Sequence, residues 1–453
     1  MSSRLRRELV VAVYAALSGR RVAIFGTGTQ PRRGAVRNVD HPRRVAIACQ
    51  GGGSHTAFTA GVLKGLLREA EFGSYTVVGL SGTSGGAICA LLAWHGLIGG
   101  DSARAGRLLD GFWADNSATA PHERLLNAWM MWVSELQDYF VMPAVSPYDN
   151  PASAGALDEL RTMLLRWVDF DQGEGRPDGS RPLLLVGAVD VLTGDFKTFS
   201  SLKERIPVDA ILASAAIPNL FRSVHLGEGV YWDGLFSQNP PVRELIDARP
   251  DEIWVIQINP KERDEEPRTI NEIADRRNEL AGNLSLYQEL HFIENLDRML
   301  DEGVLAADGK YKSIVVRVIE LSRARLPGRL GAASKLNRDP TCIADLIAHG
   351  EQRAEEFLVA LAFEDEWKRR DAEAVMDFFT DDSELTCAPP FRALGPYRGR
   401  NQIARFVGRH LTKEVTIDLT RKQVARDTVT WTVRFDQGHG TQVDVGVQVV
   451  SWW

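Results

Sequence analysis

Between Val77 and Trp94 the chain reads VVGLSGTSGGAICALLAW. Gly82 to Gly86 spell G-x-S-x-G between an apolar, strand-like run and a small-residue, helix-like run, the context in which a nucleophile elbow presents a serine. A turn too tight for side chains, for which Gly82 and Gly86 leave room, lifts the Ser84 hydroxyl clear of its neighbours. The helix that follows aims its first N–H groups at any negative charge forming there. The competing reading is a tight turn that only packs helix on strand. A second glycine run, Gly51-Gly52-Gly53, closes an earlier apolar strand. Successive backbone N–H groups in such a turn form an anion cradle, and two adjacent parallel strands would bring that cradle beside Ser84. There it would be an oxyanion hole, each preorganised donor contributing on the order of 3 kcal/mol. A phosphate-binding loop is the alternative, weakened because neither G-x-G-x-x-G nor a Walker Lys-Ser/Thr is present.

A serine hydroxyl needs a base, most often histidine. The chain has nine histidines, none in a recognisable triad setting: His95 falls within the helix after Ser84, and His225 precedes GEGVYWDGLFSQNPP. The distinctive carboxylate is Asp233 in YWDGLFSQNPP, where Gly234 and the Asn-Pro-Pro stop define a loop after a short strand. Asp-Gly is also an ordinary hairpin turn, and the residues alone leave both readings open. The four cysteines are scattered, without C-x-x-C or a metal-ligand spacing, and read as reduced thiols. No metal site is expected.

Alternating short apolar strands and amphipathic helices must position these residues. RRVAIACQ, SYTVVGLSG, PLLLVGAVDVLTG, EIWVIQINP and KSIVVRVIEL read as strands, and HTAFTAGVLKGLLREA, SGGAICALLAWHGL and VDAILASAAIP as helices. This alternation predicts an α/β domain with a mainly parallel sheet. TINEIADRRNELAGNLSLYQELHFIENLDRMLDEG reads as one long charged helix or a helix pair, and PTCIADLIAHGEQRAEEFLVAL as a last helix. NAWMMWVSELQDYFVMP is apolar enough for a lid or acyl-chain wall, or for plain helix packing. A helix would point the consecutive Trp129, Met130, Met131 and Trp132 in different directions. Near residue 361 the pattern changes to a helix, a further helix, and period-two strands, the mark of a separate antiparallel α+β domain. Three segments are therefore expected: a helical start and basic linker over 1–43, the α/β domain over 44–360, and the α+β domain over 361–453.

With 453 residues, 44% hydrophobic and 25% charged, the composition is that of an ordinary globular chain. A net charge of -7 gives no basic footprint for nucleic acid. No run reaches the roughly 18 apolar residues of a spanning helix, so a cytoplasmic chain with at most peripheral membrane contact is expected. The N-terminal MSSRLRRELVVAVYAALSGRR has a basic start and a short apolar middle, but Glu8 and the absence of a small-residue cleavage site argue against a signal peptide.

CQGGGSHTAFTAGVLKGL, GTSGG, SPYDNP, VLTGDFKTF, ASAAIPNLF and WDGLFSQNPP stand in the order, and roughly at the spacing, of the patatin-like phospholipase family, and the match spans about Arg44 to Ala360. The resemblance implies a three-layer sandwich, a Ser-Asp dyad without histidine, Ser84 as nucleophile, Asp233 as base, Gly51, Gly52 and Gly53 as oxyanion hole, and no cofactor. Relatives carry Arg or Lys in G-G-G-x-R/K-G, where this chain has His55 followed by Thr56. His55 is then a possible substrate or oxyanion contact that is charged only when protonated. D-G-G/A becomes Asp233-Gly234-Leu235. The tail, through YRGRNQIARF, is similar to SnoaL-like domains, which implies a cone-shaped α+β fold and possible homodimerisation, with Trp367, Phe378, Phe379, Phe406 and Trp431 as core. The implied activity is hydrolysis of a lipid or acyl ester. Acyl transfer through the same intermediate, and non-catalytic lipid binding on the same scaffold, are the alternatives.

Overall fold

The computed structural model describes residues 8–15, 20–27, 42–70, 73–136, 145–172, 181–218, 220–263, 265–306, 311–321, 330–331, 333–379, 381, 384–386, 397–411, 416–425, 428–436 and 442–450. The chain starts with strands, not the expected helix: β1 (Glu8–Ala15) pairs antiparallel with β2 (Arg20–Thr27). Val10, Val11, Val13 and Tyr14 are β-branched or aromatic, types that favour a pleated strand over a short helix.

The chain forms two compact units, one of residues 39–314 and 323–354, the other of residues 1–38, 315–322 and 355–453. In the first, β3 (Arg43–Cys49), α1 (Ala57–Ala70), β4 (Tyr75–Gly82) and α2 (Gly85–Ile98) follow the expected alternation. Then come α3 (Ser102–Asn116), α4 (Pro121–Leu136), α5 (Pro151–Trp167), β5 (Leu183–Asp190), β6 (Phe196–Ser200), α6 (Val208–Ala215), β7 (Val224–Leu226), β8 (Gly229–Asp233), β9 (Glu252–Gln257) and α7 (Ile270–Asp301). The sheet order is β9-β3-β4-β5-β8-β7, with β6 also on β5. β9, β3, β4 and β5 are parallel; β6 and β8 lie antiparallel to β5. The unbroken apolar runs follow from that geometry, because a parallel strand is covered on both faces: Val45 to Cys49 and Ile253 to Ile256 are wholly buried.

α2 is buried almost all round, from Gly85 to Gly96, as a central helix must be. α7 is a single helix of 32 residues opened by a Thr269–Glu272 capping box, which settles the choice between one helix and two. α8 (Pro340–Lys368) runs without a break through residue 361, where a domain change was expected. Its first half packs on α1 through glycines: a Cβ on Gly61 would stand 2.0 Å from the Ile347 carbonyl oxygen, and one on Gly350 2.2 Å from that of Phe58. Gly61→Ala is therefore expected to lose about 2–3 kcal/mol to overpacking. Gly106→Ala on α3, where a Cβ meets nothing within 4 Å, is expected to gain about 0.5–1 kcal/mol from helix propensity. Urea unfolding of both variants checks the contrast in sign.

In the second unit, β10 (Val315–Glu320), the strand expected from its apolar run, pairs in parallel with β13 (Thr416–Ala425). Arg317 on β10 makes a buried bidentate pair with Glu364 of α8, at 2.7 and 2.9 Å. The unit also contains α9 (Ala372–Met376), β11 (Glu384–Thr386), β12 (Tyr397–Arg398) and α10 (Arg400–Leu411). β14 (Thr428–Asp436) pairs antiparallel with β13 and with β15 (Gln442–Val450), as the period-two pattern predicts. Trp367 and Phe379 are buried with Phe363 between them, and Phe378 is half-buried. The side chains of Phe406 and Trp431 lie outside the described residues, as do Cys387 and the terminal Trp452-Trp453.

Candidate active site

β3 and β4 pair side by side, with Cys49 opposite Gly82, so the two glycine turns emerge together from the C-terminal edge of the sheet. This is the edge where open α/β sheets place their sites. A Cβ on Gly82 would lie 2.4 Å from the Gly86 carbonyl oxygen, and one on Gly51 2.9 Å from the Ser84 Cβ. The G-x-S-x-G spacing thus records how closely the turn folds on itself. Ser84 has φ 57° and ψ -133°, a conformation that costs a non-glycine residue on the order of 1–3 kcal/mol and concentrates at functional sites. Its N–H donates to Ser214 Oγ at 3.0 Å, and Ser214 Oγ in turn donates to the Gly187 carbonyl at 2.6 Å. Thr83 Oγ1 donates to the Gln238 carbonyl at 2.6 Å. These bonds hold the strained turn from α6 and β5 on one side and from the Asn-Pro-Pro loop on the other.

Asp233 ends β8, and Gly234 opens the short 3₁₀ turn Gly234–Phe236. The hairpin between β7 and β8 turns earlier, at Gly227 and Glu228, so Asp-Gly is not the hairpin turn that the residues alone permit. The Asp233 carboxyl is buried and accepts a hydrogen bond from the Leu235 N–H at 2.8 Å, with the Ser84 side chain near enough to act on its titration. Burial pushes its pKa up to about 7, against the opposing pull of Ser84 and the Leu235 N–H. Desolvation disfavours the carboxylate more than those two neighbours restore it. The two histidines weighed as bases are elsewhere. His95 is buried three turns along α2, within 3.2 Å of Arg104 Nη2, and burial lowers its pKa. His225 is exposed on β7.

The glycine run differs from expectation in one respect. The Gly51 N–H donates to Asn239 Oδ1 at 2.7 Å, so it is engaged and does not face an incoming oxyanion. Among the described residues the N–H groups of Gly52 and Gly53 meet no hydrogen-bond acceptor. His55 is buried, and its Nε2 lies 2.8 Å from Ser334 Oγ. The cause is the segment Ala333–Leu336, which packs over the turn so closely that a Cβ on Gly53 would meet the Lys335 carbonyl oxygen at 2.2 Å.

Sequence reasoning missed Gln50, Ser214 and Asn239. Gln50 Oε1 accepts the N–H groups of Ile258 and Asn259, and its Nε2 donates to Asn283 Oδ1. The available signal was a buried amide or hydroxyl inside an apolar motif, as in ASAAIPNLF and SQNPP. Asn239→Ala is expected to leave the Gly51 N–H unpaired, at about 1–3 kcal/mol in stability. Turnover should drop roughly 10- to 100-fold with little change in KM, as expected when oxyanion donors lose their placement. Steady-state kinetics beside a urea titration separate the two effects.

Residues 47–246 match the family model of patatin-like phospholipases, and residues 360–453 match that of SnoaL-like domains. The chain therefore carries a patatin-like phospholipase domain followed by a SnoaL-like domain. No curated protein matches it. Among solved structures, VipD from Legionella pneumophila aligns at 13% identity and a TM-score of 0.33, over 80% of this chain and 71% of that one. Human GIVD cytosolic phospholipase A2 aligns at 13% and 0.38, over 79% and 68%. The ExoU–SpcU complex of Pseudomonas aeruginosa aligns at 15% and 0.26, over 83% and 68%. Among the described residues no helix is long and apolar enough to cross a membrane.

Proposed function

We propose that the first domain is a lipid acyl hydrolase in which Ser84 is the nucleophile and Asp233 the general base. One observation supports this reading: a strained, buried serine stands beside a buried carboxyl whose pKa is raised to about 7, where a base is most effective at neutral pH. Ser84 Oγ attacks the ester carbonyl carbon as its proton passes to Asp233. The oxyanion forms within reach of the Gly52 and Gly53 N–H groups. On collapse Asp233 returns the proton to the leaving alcohol, and an acyl-Ser84 remains. Asp233 then takes a proton from water as the water oxygen attacks the acyl carbon; the bond from that carbon to Ser84 Oγ breaks, Asp233 returns the proton to Ser84 Oγ, and the fatty acid leaves.

The substrate class is a phospholipid, lysophospholipid or neutral acyl ester. The same proposal carries the three-layer arrangement of the first domain, the cone shape of the SnoaL-like domain, and pairing of two chains through that domain. A strict monomer on size-exclusion chromatography would count against the pairing. The decisive experiment measures fatty-acid release from a panel of phospholipids and p-nitrophenyl esters by the parent chain, Ser84→Ala and Asp233→Asn. Release by the parent and loss in both folded variants is expected. A parent inactive across pH and detergent, or an active Ser84→Ala, overturns the reading, and an acyl acceptor other than water among the products makes the enzyme a transferase.

A further inference from the structure

α4 presents an apolar stripe that nothing among the described residues of the first domain covers. Leu125, Leu126, Trp129 and Trp132 are 74%, 56%, 57% and 57% exposed, and positions i, i+1, i+4 and i+7 lie on one helical face. The consecutive cluster of residues 129–132 does divide as a helix requires, with Met130 and Met131 half-buried, but its two tryptophans join the two leucines. The opposite side of α4 is anchored. Asn127 is buried, its Nδ2 donating to Asn337 Oδ1 and its Oδ1 accepting the Arg338 N–H, both at 2.8 Å. Asn337 directly follows the segment Ala333–Leu336 that covers the oxyanion turn through Ser334–His55 and the Lys335 carbonyl. The segment of residues 333–338 thus touches both α4 and the turn at Gly53.

We propose that this stripe seats the domain on the surface of a phospholipid bilayer, an inference that rests on the lipid-hydrolase reading for its choice of partner. Tryptophan and leucine on one exposed helical face beside an arginine suit a helix lying in a lipid interface. The charges around the stripe fit that partner. The Glu123 carboxylate turns back to accept the N–H groups of Thr119 and Ala120, while Arg124 stands exposed. A protein partner fits less well. The four side chains offer on the order of 500 Å², taking about 150–250 Å² for a large side chain, against the ~800 Å² per partner of a stable complex. A bilayer has no such threshold, because neighbouring polar surface rests among the headgroups.

The test separates docking from chemistry by using the full-length Ser84→Ala chain. It is sedimented with vesicles of phosphatidylcholine alone and of phosphatidylcholine mixed with phosphatidylglycerol. Binding to the mixed vesicles is expected, and adding Trp129→Ser with Trp132→Ser should lower the partition about tenfold or more. In the otherwise unaltered chain, the same pair should reduce release from vesicles and leave hydrolysis of a soluble p-nitrophenyl ester unchanged. Unchanged partition overturns the inference, as does light scattering in which the pair disperses a dimer while the parent binds no vesicle. Should the serine pair unfold, quenching by brominated lipid decides: it should weaken in Trp129→Phe/Trp132→Phe, and full retention overturns the proposal. If no ester is hydrolysed yet Ser84→Ala binds through the stripe, the docking stands and the catalytic reading falls.

Discussion

Ser84→Ala is expected to lower acyl-ester turnover by roughly four to six orders of magnitude, the loss seen when a serine nucleophile is removed and only binding and oxyanion donors remain. The fold should survive, because the Ser84 N–H keeps Ser214 as its acceptor and only the hydroxyl is removed. Ser84→Gly should be equally inactive but more stable than Ser84→Ala. At φ 57° an L side chain is strained and glycine is not, and the difference is about 1 kcal/mol. Mass spectrometry after incubation with an organophosphonate ester should find an adduct on the parent chain and on neither variant. Urea midpoints should rank the glycine variant above the alanine one. A variant that keeps turnover would remove Ser84 from the chemistry, and a reversed order of midpoints would show that the turn is not strained.

Asp233→Asn should cost roughly 10³- to 10⁴-fold in turnover, because the amide keeps the shape and cannot take the proton. The pH dependence has a definite sign. The base must be ionised, and its pKa is about 7, so activity should rise about tenfold per pH unit below neutrality and level off above it. Stability runs the other way. In the unfolded chain this carboxyl titrates near 3.9, so between about pH 4 and pH 7 the folded state holds the proton and the unfolded state does not. The contribution is complete below the unfolded pKa and is lost as pH rises through the folded one, by up to about 4 kcal/mol over three pH units. Asp233→Asn has no proton to lose, so its unfolding free energy relative to the parent should climb from pH 5 to pH 8. A flat difference would mean that the carboxyl is not held protonated by burial. The stability that the protein gives up by keeping a buried carboxylate at neutral pH is of the kind that functional sites cost a fold.

Much of the site was legible because its parts are local. Ser84 needs a turn with no side chains beside it, and the sequence writes that need as Gly82 and Gly86. The parallel pairing of β3 with β4, which brings Gly51 to Ser84, follows from two buried apolar runs joined by a helix. Asp233 was visible only as a carboxylate in an unusual loop, since its approach to Ser84 joins residues that no local pattern relates. Gly51 was assigned as a donor because its neighbours are glycines. Its acceptor, Asn239, lies 188 residues away, beyond any periodicity. His55 was placed beside the substrate by analogy of position, and its contact with Ser334 in the strap of residues 333–336 lay beyond that analogy. The N-terminal segment was misread because a short stretch rich in valine and alanine suits either helix or strand until a partner strand, here β2, supplies its hydrogen bonds.

The sequence by itself determined the order of strands and helices in the first domain, the position of the presented serine, and the antiparallel character of the tail. These depend on hydrophobic period and on steric room within a few residues, which a linear string records. Only the tertiary structure decided which N–H groups of the glycine run are engaged, which side of α4 meets water, and that Val315–Glu320 joins β13. Each of those outcomes rests on a buried polar or apolar group choosing a partner distant in sequence. Such choices are made when the chain packs, because a buried donor without an acceptor costs more than any local preference can repay.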